Sequence, residues 1–280
     1  GKVDDCWLIS SDINSIPKNT DIATAPSHTP IEISPEGCSS PLNLSAIPKV
    51  HDAYASKKNL HITLDEIYEQ THIPSRLSLY LASSPIHKIP YTKHILFIAC
   101  GSSLNCALTA KQWFQQHDIL VTIEIASEIK HACLPNLANT LIIAISQSGE
   151  TADTLIALDI ILQKKPQYSV AICNTPNSTI TQLCDTSLYV QAGPEIGVAS
   201  TKAVTSQLLI LYSLAQHLGQ QTQLFNPDAL SLAIHSTLHT PQIIPTAKYI
   251  STFKHIICIG KQQLYPIAQE FALKLKELAY

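Results

Sequence analysis

Methionine is absent from all 280 residues, and arginine occurs once, at Arg76. Without an initiator, the chain reads as an internal piece of a longer protein. The single arginine, 14% charged residues and a formal net charge of −3 give no basic face for nucleic acid or an acidic membrane. Long apolar runs are also missing. Nothing approaches the ~20 residues a membrane-spanning helix needs, and the polar start has no signal-peptide core. Cysteine is present but not paired in pattern: positions 6, 38, 100, 106, 133, 173, 184 and 258 include no CxxC. Cys100, Cys173 and Cys258 fall at or near the ends of apolar runs, which suits buried thiols in a reducing compartment better than a disulfide framework. The expectation is a cytoplasmic protein with no metal, no cofactor, no nucleic-acid partner and no membrane partner.

The hydrophobic content, 45%, is enough for a sizeable core. Its arrangement is an alternation. His94–Ala99, Leu120–Ile125, Leu141–Ile145, Tyr168–Cys173 and Ser187–Val190 read as strands. Helical patterns over Leu104–His117, Thr151–Lys164, Ser178–Leu183 and Ser200–Leu218 separate or follow them. Strands that are nearly continuous Ile, Leu, Val and Ala imply burial on both faces, hence a parallel sheet between helix layers. The fold class expected is α/β, a doubly wound parallel sheet flanked by helices. Before it, the spacing predicts a helix over 63–82, kinked near Pro74. After it come helical stretches near 226–239 and 241–253. Then His255-Ile-Ile-Cys-Ile-Gly260 repeats the flavour of His94-Ile-Leu-Phe-Ile-Ala-Cys-Gly101, suggesting the start of a second similar domain.

Ligands in open parallel sheets sit beyond the carboxyl ends of the strands. Two loops there share a chemistry: Cys100-Gly-Ser-Ser103 and Ser146-Gln-Ser-Gly-Glu-Thr151. Both offer hydroxyls and the first free N–H groups of a helix, where the dipole favours an anion. Gly149 permits the sharp turn. No lysine lies in the second loop, so it is not a nucleotide P-loop; one phosphate held by neutral donors fits better. Serine turns are also ordinary helix caps, and two such loops carry weight that one does not. A third loop, Ala192–Lys202, is long and brings Ser200 and Lys202 before an apolar helix; it reads either as a capped helix start or as a segment closing over substrate. On the last helix Glu270, Lys274 and Glu277 share one face, as a solvated ion pair would or as a catalytic group would. His235 and His239 have the spacing of metal ligands, but no acidic residue lies between them and no third ligand is evident.

Together, Ala99-Cys-Gly-Ser-Ser103, Ile145-Ser-Gln-Ser-Gly-Glu-Thr-Ala-Asp-Thr154, Glu195-Ile-Gly-Val-Ala-Ser-Thr-Lys-Ala203 and Ala272-Leu-Lys-Leu-Lys-Glu277 resemble the glucosamine-6-phosphate synthases. These are isomerising glutamine–fructose-6-phosphate aminotransferases built on sugar isomerase (SIS) domains. Leu64-Asp-Glu-Ile-Tyr-Glu-Gln70 is similar to the segment leading into their isomerase half. The resemblance implies that residues 1–60 are the tail of a glutaminase-type domain plus linker and 61–225 a first SIS domain. Residues 226–280 would then be connecting helices and the beginning of a second. It implies that Ser102, Ser103, Ser146, Gln147, Ser148 and Thr151 bind a sugar phosphate, and Ser200 and Lys202 of the third loop are expected to bind substrate as well. Glu277 would shuttle a proton between C1 and C2, and Lys274 would assist beside it. It further implies a glutaminase domain in the same full-length chain and a homodimer. The family's amino-terminal cysteine nucleophile is absent, and its later histidine and near-terminal lysine lie beyond Tyr280. This piece is therefore expected to bind a sugar phosphate without turning it over. The competing expectations are a non-catalytic SIS module that senses an amino-sugar phosphate, and an SIS isomerase or lyase.

Overall fold

The computed structural model describes residues 61–221 and 225–279 throughout, and before them only four two-residue strands. The chain divides into two units, Gly1–Ala55 and Ser56–Tyr280. In the first, β1 (Lys2–Val3) pairs antiparallel with β2 (Cys6–Trp7), and β3 (Ile33–Ser34) with β4 (Gly37–Cys38). The expectation of a domain tail and linker over 1–60 otherwise lies outside the described residues.

The second unit opens with helix α1 (Ile62–Glu69), a 3-10 turn at Gln70–His72 and helix α2 (Ile73–Leu81). The kink expected at Pro74 is thus two helices. Pro74 lies in the first turn of α2, where its missing N–H costs nothing. The chain tightens into the 3-10 turn just before it.

Five parallel strands follow: β5 (His94–Ala99), β6 (Leu120–Ile125), β7 (Thr140–Ser146), β8 (Tyr168–Cys173) and β9 (Thr186–Tyr189). Their order across the sheet is β6-β5-β7-β8-β9. Helices α3 (Gly101–Gln115), α4 (Ala152–Leu162), α5 (Thr179–Leu183) and α6 (Lys202–Leu218) connect or follow them. Every residue of β7 is buried. Alternate side chains divide the core in two, as strand geometry requires. Ile95, Phe97, Leu141, Ile143, Val170 and Ile172 pack with residues of α2, α3 and α6. Leu96, Ile98, Ile142, Ala144 and Ala171 pack with α4 and the 3-10 turn at Ala126–His131. Helices therefore cover both faces, the doubly wound class expected from the aliphatic strands.

Helices α7 (Pro227–Leu238), α8 (Ile243–Ile250) and α9 (Leu264–Leu278) complete the unit, and α9 packs along α3. Among the described residues, 255–260 pair with no strand. Ile257 and Ile259 stand 87% and 89% exposed. A strand exists only through a neighbour's backbone, so the repeat of the β5 pattern is not enough to form one here. No helix among the described residues is long and apolar enough to cross a membrane.

Candidate functional site

The sheet order reverses between β5 and β7, which is where doubly wound folds open a crevice. These strands are neighbours, with Ile98 beside Ala144. Two residues further along that register, Cys100 comes level with Ser146. The two serine-bearing loops therefore leave adjacent strands side by side. Both turns use left-handed backbone at glycine, with φ of 54° at Gly101 and 74° at Gly149. At Gly149 a Cβ would also collide with Ser178.

The second loop is held by its own hydroxyls. Ser146, 3% exposed, accepts from the Gly149 N–H at 3.0 Å and lies 2.8 Å from the Thr151 hydroxyl. Ser148 Oγ accepts from the Glu150 N–H at 3.2 Å. The Glu150 carboxylate accepts from the backbone N–H and the hydroxyl of Thr179, at 2.7 and 2.8 Å. That bond ties its negative charge to the start of α5. Thr151 is the N-cap of α4 yet makes no capping bond, and neither does Cys100 at α3. Two helix starts, uncapped by side chains, thus flank the crevice, and that geometry attracts an anion.

Helix α9 brings the charged groups. Lys274 Nζ donates to Ser102 Oγ at 3.0 Å and to Glu277 Oε2 at 2.6 Å, and lies 3.3 Å from Glu270 Oε1. Glu270 Oε2 accepts from Asn105 Nδ2 at 2.8 Å. Exposed pairs at this helical spacing contribute only about 0.3–0.5 kcal/mol. These side chains are 15–28% exposed and reach across to α3, so they fix the position of Lys274 and Glu277 more than they stabilise α9. Cys106, on the same stretch of α3, is no nucleophile: burial pushes its thiol far up and Glu270 adds to the shift. Burial likewise raises Cys173, and raises Cys184 to about 12.

The third loop is organised by carboxylates. Glu195 accepts from the Ser200 hydroxyl at 2.9 Å and the Thr201 N–H at 2.7 Å. Glu66 of α1 accepts from the N–H groups of Ile196 and Gly197, at 2.6 and 3.1 Å. Lys202, 1% exposed, puts its ammonium 2.6 Å from Glu69 Oε2. Asn174, at the end of β8, donates to the Gly193 carbonyl at 2.7 Å.

The structure thus brings Ser102, Lys274 and Glu277 into one hydrogen-bonded set, and Ser146, Ser148 and Thr151 into one loop beside it. Gln147 and Ser148 are partly exposed there. Ser103 is 8% exposed and accepts from Gln207 Nε2 at 3.1 Å. Ser200 and Lys202 belong instead to the network of Glu195 and Glu69. Sequence reasoning missed Asn105, Gln207, Asn174, Glu66 and Glu69. Only Asn105 had a local signal, lying one turn after Ser102 on the same helix. His235 and His239 stack on each other at 4.1 Å.

A separate cavity of about 300 Å³ lies at the other end of the unit, lined by Tyr91, Gln116, His117, Asp118, Leu218, Gly219 and Gln220. The carboxyl ends of α3 and α6 meet there. Their dipoles oppose an anion there.

A family model for the SIS domain matches residues 88–216. The isomerizing glutamine–fructose-6-phosphate aminotransferase of Vibrio cholerae serotype O1 is 35% identical over 253 residues, covering 82% of this chain and 42% of that protein. The enzyme of the same name from Wigglesworthia glossinidia brevipalpis is 39% identical over 242 residues, covering 79% and 40%. The chain therefore spans about two fifths of the length of these relatives. Among solved structures, the C-terminal domain of glucosamine-fructose-6-phosphate aminotransferase from Francisella tularensis superposes with a TM-score of 0.69. It is 34% identical, with 80% of this chain and 69% of that one covered.

Proposed function

The chain belongs to the SIS-domain family of glutamine–fructose-6-phosphate aminotransferases, and from that premise we propose that it forms the sugar-binding and isomerising part of such an enzyme. The reaction proposed converts fructose 6-phosphate and glutamine-derived ammonia to glucosamine 6-phosphate. In this reading the phosphate rests on the hydroxyls of Ser102, Ser103, Ser146, Ser148 and Thr151, the Gln147 amide and the starts of α3 and α4. Charge-assisted bonds of about 1.5–3 kcal/mol each hold the far end of the sugar while C1 and C2 react.

Ammonia condenses with the C2 ketone, releasing water, and the resulting imine acidifies the C1 proton. The Glu277 carboxylate takes that proton from C1 and returns it to C2, while the C1 hydroxyl gives up its proton and the imine nitrogen gains one, leaving an aldehyde at C1 and an amine at C2. Lys274 stabilises the charge that develops on the C1 oxygen. Ser200 and Lys202 contribute through the third loop, whose shape Glu195 and Glu69 fix. A glutaminase domain in the same full-length protein supplies the ammonia, residues 226–280 lead into a second domain like the first, and the enzyme is a homodimer.

The observation carrying this reading is the bond from Lys274 to Ser102, which links the carboxylate-bearing helix to the phosphate-type loop. Glu277→Gln tests it in the full-length enzyme. Isomerisation should fall by about 10³-fold or more while fructose 6-phosphate still binds. Retained turnover would exclude Glu277 as the base.

A further inference from the structure

We propose that Gln207 is a positioning residue for Ser103: it occupies a lone pair of the serine hydroxyl so that the hydroxyl proton points to the sugar phosphate. The inference rests on the sugar-phosphate reading above and deepens it. A serine hydroxyl has one proton and two lone pairs, so what it accepts decides where it can donate. Gln207 Nε2 donates to Ser103 Oγ at 3.1 Å, and among the described residues that hydroxyl has no other hydrogen-bond partner. Its proton is free for an acceptor from outside the chain.

The glutamine is placed where nothing else calls for one. It is 1% exposed on α6, whose buried Ala203, Ile210, Leu211 and Leu214 belong to the apolar core. A leucine would pack there without burying an amide, and would leave the Ser103 hydroxyl without this partner. The amide instead leaves Oε1 buried with no hydrogen-bond partner among the described residues. An unpaired buried acceptor is destabilising, so what this side chain contributes is the bond to Ser103. The polarity it imposes is directional. An ionised carboxylate at 207 could only accept, and would capture the Ser103 proton and turn it away from an anion.

The test is a double-mutant cycle in the full-length protein, reading fructose 6-phosphate affinity by calorimetry. Gln207→Met, similar in size and without a polar donor, should weaken binding about tenfold. Gln207→Glu should weaken it further. In a Ser103→Ala background Gln207→Met should cost no more than about twofold, because the hydroxyl it directs is gone. A merely structural glutamine would add its full loss in both backgrounds. Additive losses, or wild-type affinity in Gln207→Met, would overturn the inference. Thermal midpoints accompany each measurement, and the Gln207→Met cycle decides the matter if the charged variant fails to fold. Absence of any binding by the wild-type protein would instead remove the parent reading.

Discussion

Lys274 reaches across 172 residues of sequence to donate to Ser102 at 3.0 Å. One ammonium thereby joins the amino-terminal turn of α3 to the carboxylates of α9, Glu270 and Glu277. The phosphate-type loop and the proposed base are then parts of one polar network, and a change in either is felt by the other.

Ser102→Ala separates those roles. Lys274 keeps both carboxylates, so the unfolding free energy should change by less than about 1 kcal/mol. Sugar-phosphate affinity should fall about tenfold, the worth of one charge-assisted bond. Urea unfolding and calorimetric titration of the same preparation check the two halves. A large loss of stability with unchanged affinity would make Ser102 a structural cap.

The pair Glu69–Lys202 is lopsided: the lysine side chain is 2% exposed and the glutamate 29%. Removing one partner of a buried pair costs about 3–5 kcal/mol when the remaining charge cannot reach water. Glu69→Gln strands the buried ammonium and should approach that range. Lys202→Met leaves a carboxylate that water can reach, and should cost less, about 1–2 kcal/mol. Denaturant midpoints at equal m-values measure both. The opposite ranking would show that Lys202 does not depend on α1 for its partner.

Alkaline pH probes the buried thiols. Cys106, Cys173 and Cys184 are all held protonated by burial, Cys184 with its value raised to about 12. Unfolded thiols ionise near 8.5, so above that pH the folded chain holds more protons than the unfolded one. Stability from these groups is full below the unfolded value and is lost as pH rises toward the folded one. The expected slope approaches about −1.4 kcal/mol per pH unit for Cys184, whose folded value is about 12, and Cys106 and Cys173 act in the same direction. Urea midpoints between pH 8 and 10.5 should show it, and Cys184→Ala should remove one thiol's share. A flat profile in the wild-type protein would contradict the burial of these groups.

Much of the sheet was legible because its strands are buried on both faces and carry no competing pattern. Leu120–Ile125 and Tyr168–Cys173 form strands with the bounds their aliphatic runs predict. Helix starts drifted where the loop itself looked helical or polar: α3 begins at Gly101 rather than Leu104, and α6 at Lys202 rather than Ser200. At 255–260 no strand pairs among the described residues, for a different reason. The apolar pattern there is a good strand sequence, but pairing is a property of neighbours and cannot be read from one segment. The serine loops were legible for the same reason as the strands, since they follow buried runs and precede helices. Glu66, Glu69 and Gln207 were not, because each acts on a residue more than a hundred positions away. Lys202 could be placed at the loop's end from the sequence, but its partner on α1 could not.

The central claim is that the neutral donors at the carboxyl ends of β5 and β7 hold the phosphate of a sugar. Calorimetric titration of the protein with fructose 6-phosphate and with unphosphorylated fructose, repeated on Ser148→Ala, tests it most directly. Saturable binding of the phosphorylated sugar alone, weakened about tenfold by the substitution with the thermal midpoint unchanged, is the predicted result. Equal affinity for the two sugars, or no effect of Ser148→Ala, would contradict it.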